Sequence, residues 1–314
     1  MPIKIPNDLP ASKILKEENI FVMDETRALS QRIRPLKLII VNIMPTKIVT
    51  ETQLLRLLSN TPLQIEVDWL CMESHNSKNT SQEHLMEFYK TFNEIKDNKY
   101  DGLIVTGAPV EKLKFEDVDY WDELTNIFDW ANTSVFSSFF ICWASQASLY
   151  YYYGVEKYQL KEKLTGVYHH HTNPEKMRRR ILRGFDYQFY APHSRYTSVK
   201  KEDIEKIDSL DILASSNDAG VYLVAEKDGS RFFVTGHPEY DPDTLDKEYH
   251  RDLAKGGDCV MPKNYYKNDD VNDEILVKWR SHAYLLFSNW LNYYVYQNTP
   301  YNLDDLLKMK TTNK

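Results

Sequence analysis

Cysteine is scarce in this 314-residue chain. Cys71, Cys142 and Cys259 are odd in number and widely spaced, and no CxxC pair occurs. That pattern excludes a disulfide framework and a structural zinc site, and it fits a reducing compartment. Long apolar runs are also missing. None approaches the ~20 residues that a membrane span needs, and the opening MPIKIPNDLPASKILKEENIFVM lacks the apolar centre of a signal peptide. A cytoplasmic location is the expectation. Positive charge is not in excess either: 39 basic against 46 acidic side chains give −7. Neither nucleic acid nor an anionic membrane is therefore indicated as a partner, and an anionic ligand must be met by local basic groups. No internal repeat or low-complexity tract is present. What remains is an ordinary globular composition, 42% apolar, long enough to bury a sizeable core.

Residues 1–35 are polar and broken by Pro2, Pro6, Pro10 and Pro35, the pattern of an arm laid over the body. The body, residues 36–297, opens with the buried-strand run LKLIIVNIM, a helical TETQLLRLLSN and a second strand at LQIEVDWLC. The rhythm repeats through the amphipathic SQEHLMEFYKTFNEIKDNK, the strand YDGLIVTG, the helical YWDELTNIFDWANTS and the apolar VFSSFFIC. Such alternation predicts an α/β fold of three layers, a mostly parallel sheet with helices on both faces. Beyond Tyr153 the alternation loosens into short strands at LDILASS, GVYLVAEKD and SRFFVTG. A helical TLDKEYHRDLAKGG and one long helix over SHAYLLFSNWLNYYVYQ follow, then a polar tail at 298–314.

Three features carry possible chemistry. In FFICWASQASLYYYYG an apolar strand reaches Cys142 and runs directly into Ala144, Ser145, Ala147 and Ser148. This is how a nucleophile elbow is built: a tight turn exposes the thiol, small neighbours let chains pass, and a helix N-terminus favours the thiolate. The segment alone fits a buried apolar cysteine equally well. In FFVTGHPEYD, His237 follows a strand and Glu239 stands two residues on, so the carboxylate can fix the tautomer of a base. A lone histidine there is more often a satisfied turn residue. In LIVTGAPVE, Gly107 ends a strand and its loop can offer N–H groups to an oxyanion, though such a turn is commonly only a turn. Their joint weight comes from placement, because all three follow strands whose carboxyl ends share one sheet edge.

Longer stretches resemble the MetA family of homoserine O-acyltransferases. The likeness runs through MPIKIPNDLPA, IFVMDETRALSQ, IRPLKLIIVNIMPTKIVTETQLLRLLSNTPLQ, YDGLIVTGAPVE and ICWASQA. It continues in LRGFDYQFYAPHSRYTSV, DAGVYLVAEKDG, VTGHPEYDPDTLDKEYHRDL and WRSHAYLLFSNWLNYYVYQ. The resemblance implies a class I glutamine amidotransferase-like fold and a role in methionine biosynthesis. The L-homoserine hydroxyl would be acylated from an acyl-CoA through a thioester on the cysteine. By motif, Cys142 corresponds to the nucleophile, His237 to the proton acceptor and Glu239 to the residue that orients it. Lys163, Ser194 and Arg251 correspond to contacts with the amino-acid substrate, and backbone N–H groups near Gly107 and Trp143 would meet the oxyanion. The residue after GAPV is a donor switch in the family: a small residue accompanies succinyl-CoA and a glutamate acetyl-CoA. Glu111 therefore implies acetyl-CoA as co-substrate, with no bound cofactor or metal, and a homodimer is compatible with the family.

Two departures bear on this. The family's elbow has histidine and glycine where this chain has Phe140 and Ala144, and the methyl of Ala144 is expected to tighten the turn. The segment GVYHHHTNPEKMRRRILRGFD also differs. His169, His170 and His171 are adjacent and cannot all face one ion from a strand or helix, so no metal site is expected. Lys176, Arg178, Arg179 and Arg180 read as a solvated loop that could also touch the phosphates of CoA. The alternatives left open are succinyl-CoA as donor, L-serine as acceptor, glutamine hydrolysis on the same fold, and a non-catalytic homologue.

Overall fold

A computed structural model describes residues 3–4, 9–17, 34–75, 79–256 and 259–306. Its centre is one sheet of eleven strands: β1 (Ile3–Lys4), β2 (Leu36–Val41), β3 (Ile65–Leu70), β4 (Tyr89–Lys90), β5 (Tyr100–Val105), β6 (Val135–Ile141), β7 (Lys157–Thr172), β8 (Gln188–Val199), β9 (Leu210–Ser216), β10 (Gly220–Glu226) and β11 (Arg231–Val234). Their spatial order is β1-β3-β2-β5-β6-β11-β10-β9-β7-β8, with β4 beside β3. From β1 through β11 all neighbours are parallel, and from β11 onward β10, β9, β7 and β8 pair antiparallel.

The apolar runs read as buried strands are buried on both faces, and the two-residue period of a strand divides them between two cores. Leu38, Ile40, Ile104, Phe139, Ile141 and Phe232 enter one core, while Ile39, Val41, Leu103, Val105, Phe140 and Phe233 enter the other. The first is closed by the helices Lys47–Leu58 and Arg280–Trp290, the second by Trp121–Ser134 and Trp143–Tyr153. Helices thus cover both faces. Phe140, one of the two elbow departures, stacks on Phe233 with centroids 5.5 Å apart and planes at 13°. Its ring is core packing and faces no cavity.

Three element assignments change. The stretch expected as one amphipathic helix, 81–99, is two short helices, Gln82–Phe88 and Phe92–Ile95, split where Tyr89 and Lys90 pair with Trp69 and Leu70. The expected last helix is α-helical only over Arg280–Trp290 and continues as a π-helical turn, Leu291–Tyr296. Beyond Tyr153 the strands are not all short: β7 and β8 form a long antiparallel ribbon, with Ser194 opposite Thr165 and His193 opposite Gly166. On β7 the three histidines alternate. His170 is buried and its Nε2 lies 3.0 Å from His193 Nε2, whereas His169 Nε2 meets Gln188 Oε1 at 3.1 Å on the other face.

From the N-terminal arm, β1 pairs with β3, and Leu9, Ala11 and Leu15 join the core. Near the C-terminus, Leu306 is buried and Lys99 reaches Asp304 at 3.5 Å. Among the described residues no helix is long and apolar enough to cross a membrane.

Candidate active site

The carboxyl ends of β5, β6 and β11 deliver Gly107, Cys142 and His237 to one edge of the sheet. Cys142 takes φ 52° and ψ −114°, backbone angles that cost a non-glycine residue about 1–3 kcal/mol. The surrounding bonds hold it there. Its N–H donates to Val234 O at 2.7 Å, and its carbonyl accepts from Ser145 N at 3.0 Å and Ser145 Oγ at 2.7 Å. The helix Trp143–Tyr153 begins at once, and Ala144, Ser145, Ala147 and Ser148 are all buried in it. Their small side chains let this helix lie against the sheet. Ala144 is accommodated inside the first turn.

His237 is buried, its N–H donates to Pro192 O at 2.9 Å, and its Nδ1 lies 2.7 Å from Glu239 Oε1. Its imidazole and the Cys142 side chain close on Gly107 together. Burial acts against the imidazolium, but the charges of Cys142 and Glu239 and the hydrogen bond to Glu239 outweigh it, and His237 is raised well above its ordinary value. The second Glu239 oxygen is buried and has no hydrogen-bond partner among the described residues. Gly107 closes the third side. A Cβ on it would lie 3.2 Å from Cys142 Cβ and 3.3 Å from His237 Cε1, closer than most such contacts, which explains a glycine here.

A cavity of about 500 Å³ opens over Cys142 and His237. Glu111 lines it. Burial raises this carboxyl above its usual range, opposed by a backbone hydrogen bond and the charges of His237 and Lys163. Lys163 from β7, Ser194 from β8 and Arg251 from the helix Thr244–Ala254 line it as well. The sequence-predicted residues therefore converge, with Glu239 behind His237 and Trp143 buried beneath the turn.

Three cavity residues escaped sequence reasoning. Ser194 Oγ donates to Glu248 Oε2 at 2.5 Å, and Tyr240 OH donates to Glu248 Oε1 at 2.8 Å. Asp252 accepts from Lys163 Nζ at 2.9 Å and from Arg251 Nε at 2.9 Å. Glu248, Arg251 and Asp252 share one helix face at i, i+3 and i+4, a spacing that was available as a signal. The basic run goes elsewhere: Lys176 pairs with Asp211 at 2.7 Å, Arg179 donates to the carbonyls of Glu226 and Lys227, and none of the run lines the cavity. Lys176 and Arg179 thus clamp the loop onto the sheet, while Arg178 and Arg180 are exposed, as a solvated loop would have them. Among the described residues, no group of three or more His, Cys, Asp or Glu side chains is arranged to hold a metal.

Comparison with known proteins bears on what such a site belongs to. A solved glutamine amidotransferase of Thermotoga maritima superposes with a TM-score of 0.53 over 82% of this chain and 98% of that one, at 12% identity. Another, from Methylobacillus flagellatus, gives 0.51 over 82% and 94% at 11% identity. At such identities the likeness establishes the fold, class I glutamine amidotransferase-like, and nothing further. Sequence reaches closer. A Catenibacterium mitsuokai protein named homoserine O-acetyltransferase is 72% identical over 311 residues, 99% of this chain and 100% of that protein. One of the same name from Petrotoga mobilis is 60% identical over 306 residues, 98% of each. A family model described as homoserine O-succinyltransferase matches residues 2–301, and the chain belongs to that family.

Proposed function

We propose that the protein transfers the acetyl group of acetyl-CoA to the hydroxyl of L-homoserine, through a thioester on Cys142. The observation that carries this reading is the arrangement of one cavity. Cys142 and His237 line it together with the half-buried carboxylate of Glu111 and a cluster of paired cations and anions, Lys163 and Arg251 with Glu248 and Asp252.

His237 takes the Cys142 proton, with Glu239 holding its Nδ1–H, and the thiolate attacks the acetyl-CoA carbonyl. Backbone N–H groups about Gly107 and Trp143 meet the oxyanion, and the thiol of CoA leaves with the proton that His237 returns. The homoserine hydroxyl then gives its proton to His237 and attacks the acyl-thioester, releasing O-acetylhomoserine and the free thiol. Arg251 suits the substrate carboxylate, since guanidinium and carboxylate pair in a bidentate manner, and Lys163 adds charge beside it. Glu248 suits the ammonium, and Ser194 fixes the Glu248 carboxylate by the 2.5 Å bond.

Glu111 favours acetyl over succinyl, because a carboxylate beside the acyl pocket repels the free carboxylate of a succinyl group and fills its space. The names of the 72% and 60% identical relatives support the same donor. The reaction places the protein in methionine biosynthesis, in the cytoplasm. The test is a panel of acetyl-CoA and succinyl-CoA against homoserine and serine, read as CoA release. Acetyl-CoA with homoserine should be fastest. Preference for succinyl-CoA removes the donor assignment, preference for serine the acceptor, and ammonia release from glutamine would replace the whole reading.

A further inference from the structure

Arg195 follows Ser194 on β8, but its side chain points away from the cavity and is fully buried. Its NH1 donates to Thr197 O at 2.8 Å and its NH2 to Ala219 O at 2.6 Å, and its Nε has no partner. Among the described residues no carboxylate is paired with it. A guanidinium buried without a counter-ion is costly to keep, and an apolar side chain of similar volume would hold the same space more cheaply.

Two independent links connect this cation to the nucleophile. Thr197 O, which accepts from Arg195, also accepts from Gln146 Nε2 at 3.2 Å, and Thr197 Oγ1 donates to Gln146 Oε1 at 2.7 Å. Gln146 in turn sits in the first turn of the elbow helix, its N–H on Cys142 O at 3.3 Å. Electrostatically, burial pulls the guanidinium below its ordinary value, and the first charge to oppose that is Cys142, ahead of Tyr158 and Tyr168. Among the described residues, the other titratable groups that interact with Cys142 are His237 and Tyr240. His193, the neighbour on β8, is held neutral by its burial.

We propose that Arg195 is a positioning residue for the nucleophile: its unpaired guanidinium supplies fixed positive charge behind Cys142 that favours the thiolate, and Thr197 and Gln146 couple it to the elbow. This rests on Cys142 being the residue that accepts the acyl group.

The test is alkylation of Cys142 by iodoacetamide across pH, followed by mass spectrometry, in the full chain and in Arg195→Met and Arg195→Lys, with the unfolding midpoint as control. Arg195→Met should alkylate about tenfold more slowly at neutral pH and recover towards the wild-type rate in alkali, since removing one nearby charge moves such an equilibrium by about a factor of ten or more. Arg195→Lys should keep most of the rate. The unfolding midpoint of Arg195→Met is the control for folding, so that slower alkylation at an unchanged midpoint is read as loss of the charge. A wild-type rate and profile in Arg195→Met overturns the inference, as does Arg195→Lys behaving like Arg195→Met. Should Arg195→Met not fold, Arg195→Gln, which removes the charge and keeps a donor for the carbonyls, is read in the same way. Incubation of the wild type with acetyl-CoA separates the two claims. Absence of acetyl-Cys142 removes the nucleophile itself, whereas its presence with unchanged alkylation in the variants removes only the role of Arg195.

Discussion

The Tyr240 ring lies over the His237 imidazole, centroids 4.1 Å apart and planes at 18°, while its hydroxyl donates to Glu248 Oε1 at 2.8 Å. One side chain therefore touches both the base and the carboxylate assigned to the acceptor's ammonium. Tyr240→Phe keeps the stack and loses the bond. It should raise the homoserine KM several-fold and leave acetylation of Cys142 by acetyl-CoA near the wild-type rate, about what loss of one hydrogen bond to a charged group allows. Tyr240→Ala should slow both half-reactions. Stopped-flow acylation measured beside steady-state kinetics distinguishes the two variants.

Glu239→Gln keeps the shape of the His237 partner and removes its charge. Loss of tautomer control in such a pair costs about two to four orders of magnitude in kcat/KM. Stability should respond as well. His237 is raised in the folded protein, so its contribution is fully present below about pH 6.5, the unfolded value, and is lost as pH rises through the folded one. Urea unfolding from pH 6 to 9 should show a downward slope in the wild type and a shallower one in Glu239→Gln. Equal slopes would count against the coupling.

Glu111→Gly opens the donor side of the cavity and removes its carboxylate. Turnover with succinyl-CoA should rise relative to acetyl-CoA by about tenfold or more, the scale of one repulsive contact removed. Competition between the two donors, with the products separated by mass, measures the ratio directly. An unchanged ratio would detach donor choice from this residue.

Gly166 supports the acceptor side from a distance. It has φ +139°, and a Cβ on it would meet Lys263 O at 2.3 Å and Lys263 N at 2.5 Å. Lys263 precedes Tyr265 and Tyr266, which hold the helix of Glu248 and Arg251: Tyr266 OH donates to Asp246 Oδ1 at 2.6 Å, and Tyr265 OH to Pro242 O. Gly166→Ala should cost about 2–4 kcal/mol and raise the homoserine KM. Thermal unfolding with homoserine titration checks both.

The parallel half of the fold was legible because most of its strands are continuous apolar runs, and Gly107, Cys142 and His237 follow three of them. The convergence of Gly107, Cys142 and His237 followed from the rule that places sites at strand carboxyl ends. The ribbon of β7 and β8 was not legible. KYQLKEKLTGVYHHHT carries polar residues throughout and has solvent on one side for much of its length, so its two-residue period is weak. Glu248 and Asp252 were not legible as site residues, since the cavity they face is formed by segments that run from Met44 to Asp252 in sequence. The split of the 81–99 helix arose from pairing of Tyr89 with Trp69, a tertiary contact that overrode local helical preference.

The division of the sheet has a consequence for how such a protein changes over generations. Cys142 and His237, the proposed thiol and base, follow parallel strands locked between two cores, whereas the residues proposed to hold the acceptor lie on an antiparallel ribbon and one helix. Mutations that retune the accepted alcohol can accumulate on the second framework without disturbing the first. Tyr240 is the hinge pin between them: a lineage that drifts towards a new acceptor should be constrained there first, because its ring and its hydroxyl answer to different halves of the reaction.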